Sequence, residues 1–485
     1  MICSRREFFA GASAFTLGAG RLFAAPPGWK PSKKPDLVLG VISDTHLRTM
    51  PTSGRIDAKW SDKYLARALT HFRDENVDAV VHCGDFAHLG QVEEMQAHAD
   101  AWYRAFPNNR APAGHEVVKL FVSGNHELRG STYGGKGMFV RRLYPDPEER
   151  SRHVLASDMA GNWERIWGER YELVWHKVVK GFHFFGMQWD VDEKAMADLV
   201  DGTTGCEPPR PFFVLRHAYP PRALLARMKK HPNAVGLFGH LHYSIANWRK
   251  VFLAGGMPWL QVPSLNAHGY PGLREEDPWL TKLKIEGMEA AGSVRARQGM
   301  VIRLYDDMMV VERREFGEGG SLGADWVMPF GKYDPHPFSK ESLKKVIGEP
   351  QFRAGAKLSV FLDRIDKINK IENAASHNPV NPVDPVQEDS ASLRLCVKIP
   401  LADGNPDSRV YAYEVVVAGE GRKLHKAVYA AGCNMGVGHE PNGGVTELSI
   451  PKAELPPGDA LTIAVRPITS LGTRGKSLAA KWHRT

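Results

Sequence analysis

The chain has 485 residues, 43% of them apolar, 24% charged and 9% aromatic, a balance that excludes a disordered or fibrous polymer and a disulfide-held miniprotein and leaves room for two or three domains. Lys and Arg number 63 against 55 Asp and Glu, a net charge of +8, which falls short of a nucleic-acid-binding footprint, so no stable nucleic-acid partner is expected. No apolar run in the sequence reaches the roughly 18 residues of a membrane-spanning helix.

In chain order, Ser4-Arg5-Arg6-Glu7-Phe8-Phe9 precedes a Gly/Ala-rich apolar stretch over 8–20, and a polar, Pro-containing segment begins at Pro26. That order reads as a twin-arginine export signal over residues 1–25, cut near Ala25, with the periplasm or cell exterior of a bacterium as destination. A short amphipathic helix is the alternative. The cysteines outside this segment, Cys83, Cys206, Cys396 and Cys433, show no CxxC spacing, which argues against a thiolate zinc site or a redox pair. Cys396 and Cys433 fall in one later segment, either bonded or as two buried thiols.

Residues 36–317 alternate short apolar, β-branched runs with helix-period segments, the pattern of an α/β domain. The runs at 37–42, 77–81, 117–122, 212–215 and 235–238 read as buried strands. Leu65, Leu69 and Phe72 form one helical stripe, and Leu224, Leu225 and Met228 another. A hairpin is expected over 300–311 around Asp306-Asp307. The insert 140–190 carries Trp163, Trp167, Trp175 and Trp189, which either join the core or roof a site. Residues 318–387 read as a linker with a basic helical piece at 340–345 and a Pro-rich run at 378–385. Alternating segments within 388–485, separated by turn clusters at 441–444 and 456–459, read as a small C-terminal all-β sandwich behind a low-contact boundary.

Five fragments carry the chemistry, each where an apolar run ends: Asp44-Thr45-His46, Gly84-Asp85, Gly124-Asn125-His126-Glu127, His217 and Gly239-His240-Leu241-His242. In open α/β sheets, side chains at the carboxyl ends of strands converge on one crevice. Carboxylate, imidazole and amide oxygen suit hard-to-borderline divalent or trivalent metals, and no thiolate accompanies them. On an extended chain Asp-x-His and His-x-His would each present two ligands on one side, and the three glycines would allow the turns that bring the fragments together.

This order of fragments resembles the calcineurin-like metallophosphoesterase superfamily over 44–242. The resemblance implies a four-layer α/β/β/α sandwich with a binuclear centre. One metal would be held by Asp44, His46, Asp85 and His242, and the second by Asp85, Asn125, His217 and His240, with Asp85 bridging. Iron, manganese or zinc all suit this set. Such a pair lowers the pKa of a shared water to yield a hydroxide nucleophile and polarises the phosphoryl oxygens. His126 would stabilise the phosphoryl charge or protonate the leaving oxygen, and Glu127 would orient it. Purple acid phosphatases, a branch of the superfamily, carry Tyr three residues after the bridging Asp. Here that position is His88, so a purple iron site is not expected, and His88 either lines the pocket or caps the following helix.

The run 260–270 begins as a strand and ends in polar and aromatic groups. His268 and Tyr270 there are candidate substrate contacts, against the reading of a plain strand-turn. The function expected is an exported metal-dependent hydrolase acting on a small or polymeric phosphate ester, phosphatase or phosphodiesterase. A nucleotide-specialised phosphodiesterase or nuclease is the nearer alternative. A catalytically inert surface binding protein that uses the C-terminal sandwich is the alternative of another class.

Overall fold

The computed structural model describes residues 33–49, 59–132, 134–189, 191–206, 210–246, 251–266, 285–286, 297–323, 325–330, 349–364, 393–400, 402–403, 410–433, 435–469 and 472–484. The expected export segment, the basic piece at 340–345, the Pro-rich run, His268 and Tyr270 lie outside these residues.

The strands are β1 (Leu37–Ile42), β2 (Ala79–His82), β3 (Val118–Phe121), β4 (Val174–Val179), β5 (Phe182–Met187), β6 (Phe212–Arg216), β7 (Ala234–Phe238), β8 (Val251–Ala254), β9 (Met257–Gln261), β10 (Ile285–Glu286), β11 (Gln298–Leu304), β12 (Met308–Glu315) and β13 (Trp326–Pro329). They are followed by β14 (Gln351–Phe352), β15 (Ser359–Arg364), β16 (Leu393–Ile399), β17 (Ala402–Asp403), β18 (Val410–Gly419), β19 (Arg422–Tyr429), β20 (Thr446–Pro451), β21 (Ala460–Thr469) and β22 (Leu478–His483). One six-stranded mixed sheet has the order β13-β12-β11-β1-β2-β3, with β1, β2 and β3 parallel. A second has the order β4-β5-β6-β7-β9-β8, with β5, β6, β7 and β9 parallel. Parallel strands are covered on both faces, which is why these runs are continuously apolar.

The period of two divides each strand between two apolar surroundings. Leu39, Val41, Ala79 and Val81 cluster with Phe213, Leu215, Val235 and Leu237 of the second sheet. Ile42 and Val80 point the other way, onto Leu65, Leu69 and Phe72 of helix α1 (Lys59–Asp74) and Trp102 of helix α2 (Val92–Ala105). Phe212, Val214 and Phe238 pack with Met196, Leu224 and Met228 from the helices Glu193–Asp201 and Arg222–Met228. Gly40 lets α1 lie close, since a Cβ there would stand 2.5 Å from the Phe72 ring. Trp163, Trp167 and Trp175 are buried in the core, whereas Trp189 is half-buried.

The remaining strands form a five-stranded sheet, β10-β19-β18-β21-β22, a three-stranded sheet, β15-β16-β20, and the pair β14-β17. Where the sequence suggests a low-contact boundary, the described residues hold several links. β15 pairs with β16 across the boundary, and β10 pairs with β19. Val437 N donates to Ser321 O at 2.8 Å, and Leu395, Tyr411, Val415 and Ile463 share one apolar cluster with the two mixed sheets. No disulfide joins Cys83, Cys206, Cys396 and Cys433 to one another; Cys83, Cys206 and Cys433 are buried and Cys396 is half-buried.

Candidate metal centre

All five fragments leave the carboxyl ends of parallel strands: β1 into Asp44, β2 into Gly84-Asp85, β3 into Asn125, β6 into His217 and β7 into Gly239. Backbone hydrogen bonds then tie the exits together. Asp44 N donates to Gly84 O at 3.0 Å, His46 N to Asp85 O at 2.9 Å, and Gly239 N to His217 O at 2.9 Å. His240 N donates to the Asp44 carboxylate at 3.0 and 3.1 Å, joining the two sheets.

The chain at these exits is not extended, as the alternation argument supposed. Asp44, His46, Asp85, His240 and His242 have φ of 50°, 45°, 60°, 72° and 51°, in the left-handed region that costs a side-chain-bearing residue about 1 kcal/mol or more. Strained backbone, rather than strand pleat, aims both members of Asp-x-His and His-x-His inward. The glycines supply room as much as turns. A Cβ at Gly124 would stand 2.2 Å from Asp85 Oδ1, and one at Gly239 would stand 2.1 Å from Ser43 Oγ. Gly84 does both, with φ of 89° and a hypothetical Cβ 2.6 Å from His217 Nδ1.

Three donor groups result; besides His46, His88 and His126, two of them share Asp85. Asp44, His46, Asp85 and His242 bring one ligand atom each within 4.8 Å of one another, and so do Asp85, His217 and His240. His46 Nε2 and His242 Nε2 are 2.9 Å apart, and His242 Nε2 is 3.1 Å from Asp44 Oδ1. Asp85 Oδ2 faces both groups, 3.4 Å from His46 Nε2 and 3.2 Å from His217 Nε2. Its Oδ1 accepts from His126 N at 2.9 Å. Asn125 Oδ1 lies 3.0 Å from His217 Nε2, which is also 3.1 Å from His240 Nδ1. His217 Nδ1 donates to Cys83 O at 2.6 Å, which leaves Nε2 for the site. Convergent nitrogens and carboxylate oxygens, with no thiolate, fit a pair of borderline cations sharing Asp85.

The electrostatics have the same origin. Burial opposes the charge on Asp44, but His242 and His217 hold its carboxyl below the usual range. Burial likewise opposes Asp85, which His217 holds down. Burial disfavours the charged His217 ring, yet Asp85 and Asp44 lift it to about 9.

A pocket of about 310 Å³ opens here, lined by His46, Arg48, Asp85, His88, Asn125, His126, His240, His242 and Asn266. His88 therefore lines the pocket, and Gln91 occupies the N-cap of α2. Glu127, expected to orient His126, serves the backbone instead: its carboxylate accepts from Asp85 N at 2.9 Å, Gly124 N at 2.6 Å and Ala87 N at 2.9 Å. His126 is oriented by His88 O, to which its Nδ1 donates at 2.6 Å. Trp189 lies 5.6 and 5.7 Å, ring to ring, from His217 and His240. Arg48 and Asn266 are pocket residues that the sequence reading missed. Arg48 stands two residues beyond His46, and Asn266 lies in the 260–270 run already singled out.

Residues 37–244 match the family model described as calcineurin-like phosphoesterase, a match that supports a metal-dependent phosphoester hydrolase. No curated protein matches the chain. Among solved structures, a dimetal phosphatase from Danio rerio is similar at 13% identity and a TM-score of 0.36, over 61% of this chain and 100% of its own. A purple acid phosphatase from yellow lupin (Lupinus luteus) seeds is similar at 13% identity and a TM-score of 0.39, over 62% of this chain and 55% of its own. A predicted phosphoesterase from Streptococcus pneumoniae is similar at 12% identity and a TM-score of 0.25, over 60% and 97%. These likenesses are too distant to inform the chemistry, which rests on the residues.

Proposed function

We propose, from the calcineurin-like phosphoesterase segment over 37–244, that this chain is an exported binuclear-metal hydrolase of phosphate esters. The carrying observation is that two donor groups share Asp85 at the mouth of one pocket. Asp44, His46, Asp85 and His242 would hold one metal, and Asp85, Asn125, His217 and His240 the other. When bound, the pair supplies Lewis acidity at the phosphoryl group and activates a water.

The chain's own residues do the rest. With Nδ1 donating to His88 O, the His126 ring presents Nε2 as the atom that meets the phosphoryl group or hands a proton to the leaving oxygen. Glu127 is a positioning residue, its carboxylate gathering three backbone N–H groups around Asp85. His88 lines the pocket as a substrate contact, with His268 and Tyr270 as further candidates.

For the architecture we favour a four-layer α/β/β/α sandwich over 36–317, supported by the three apolar clusters, followed by a C-terminal all-β unit built on β15 to β22. Export rests on the paired arginines of residues 1–25.

The test is elemental analysis of purified protein together with turnover of p-nitrophenyl phosphate and bis-p-nitrophenyl phosphate. About two metal equivalents per chain and metal-dependent turnover are expected. No bound metal, and no activity on adding Mn, Fe or Zn, would overturn the reading.

A further inference from the structure

Among the described residues lining the pocket, Arg48 alone carries a permanent positive charge. It sits two residues beyond His46 and is half-buried. Its Nε is buried without a hydrogen-bond partner among the described residues, where it makes no salt bridge. The acid whose field reaches it is Glu94. That carboxyl already accepts from Leu89 N at 2.7 Å and Gln91 N at 3.3 Å, and burial pushes its pKa up to about 8. Among the described residues no carboxylate forms an ion pair with the guanidinium, which lines the same pocket as the metal-ligand groups.

A guanidinium fork matches phosphate oxygens in a way that no other side chain does. The ester type decides how many such oxygens it meets. A monoester or terminal phosphate has three non-leaving oxygens, all unesterified. A diester also has three, but only two of them are unesterified, because the third carries the second alcohol and no charge.

We infer that Arg48 binds the third unesterified oxygen of a terminal phosphate, so that the site selects phosphate monoesters and terminal phosphates over diesters. This rests on the hydrolase reading and adds the substrate class. His88 and Asn266, which line the same pocket as Arg48, would meet the group beyond that oxygen.

The experiment compares metal-loaded wild type, R48Q and R48K on p-nitrophenyl phosphate and bis-p-nitrophenyl phosphate, with calorimetric titration of inorganic phosphate as a readout free of turnover. Wild type should prefer the monoester. R48Q should lose roughly 10- to 100-fold in kcat/KM on the monoester, the worth of a charge-assisted hydrogen bond, and far less on the diester. Its phosphate affinity should fall at least tenfold with both metals retained, and R48K should recover part of each loss. Equal losses on the two substrates, or unchanged phosphate affinity, would overturn the proposal. Should R48Q not fold, R48K decides it, with a monoester-to-diester ratio lowered at least threefold expected and an unchanged ratio counting against. If wild type turns over neither substrate with Mn, Fe or Zn, the hydrolase reading fails by itself, and the phosphate titration still judges Arg48.

Discussion

His82 Nε2 stands 2.7 Å from Thr45 Oγ1, and the same ring's Nδ1 lies 3.2 Å from Gly84 N. Since Gly84 N–H must donate, Nδ1 is the acceptor and Nε2–H donates to the threonine. Burial holds this ring well below the usual imidazole pKa, so it stays neutral, and it stacks on Phe86 at 3.7 Å between centroids. Thr45 sits between Asp44 and His46, and Gly84 precedes Asp85, so one buried imidazole clasps two strained ligand loops. His82→Phe keeps the stacking and removes both hydrogen bonds. It should weaken metal affinity about 10- to 100-fold, as loss of an outer-sphere partner does, with an unchanged circular dichroism spectrum. Chelator competition reads the affinity, and wild-type affinity would refute the clasp.

Asp85→Asn should cost more activity than any other single ligand change, because Oδ2 faces both donor groups. His126→Ala should keep both metals and lower kcat by about 10² to 10⁴, the usual loss of an acid or base. Metal analysis beside kcat separates the two roles, and metal loss from His126→Ala equal to that from Asp85→Asn would erase the distinction.

Metal uptake should release protons. In the chelated protein burial disfavours charge on His217, but Asp85 and Asp44 raise its pKa to about 9. A raised folded-state pKa stabilises the metal-free fold fully below the unfolded value of about 6.5, and that stability is lost as pH rises through about 9. The melting temperature of chelated protein should therefore fall between pH 7 and 9.5. A metal needs the neutral ring, so the loaded protein should not share that fall, and Mn titration at pH 7.5 in buffers of different ionisation enthalpy should show proton release. A buffer-independent heat would contradict this.

The C-terminal strands should prove necessary to the fold. Ending the chain near Ala375 removes β16, the partner of β15, and β19, the partner of β10. It also uncovers the apolar cluster that Leu395, Tyr411 and Val415 help to close. Arg313, which donates to Ala246 O at 3.1 Å, lies against Trp326 within this region. The truncated chain should melt at least 10 °C lower or be recovered insoluble, and a wild-type melting temperature would establish an independent unit.

Replacing Arg5 and Arg6 with Lys should leave the precursor in the cytoplasm, because the twin-arginine route reads that pair. Cell fractionation checks it, and normal export of the double variant would point to another route.

The composition and the runs ending at Ile42, Val81, Val122, Leu215 and Phe238 were enough to determine buried strands with Asp, Asn and His at their exits, because burial on both faces leaves a local signature in the chain. The residue types at Asp44, His46, Asp85, Asn125, His217, His240 and His242 likewise point, from the sequence alone, to a site for borderline metal cations. Only the tertiary structure decided that Glu127 serves the backbone of Asp85 and not the ring of His126, that His82 joins two loops, and that Arg48 reaches the pocket. It also decided that β10 and β15 pair with strands from beyond the Pro-rich run. A buried donor takes whichever acceptor the folded chain brings within about 3 Å, and here those partners come from exits some 40 residues apart, a distance along which no periodicity carries information.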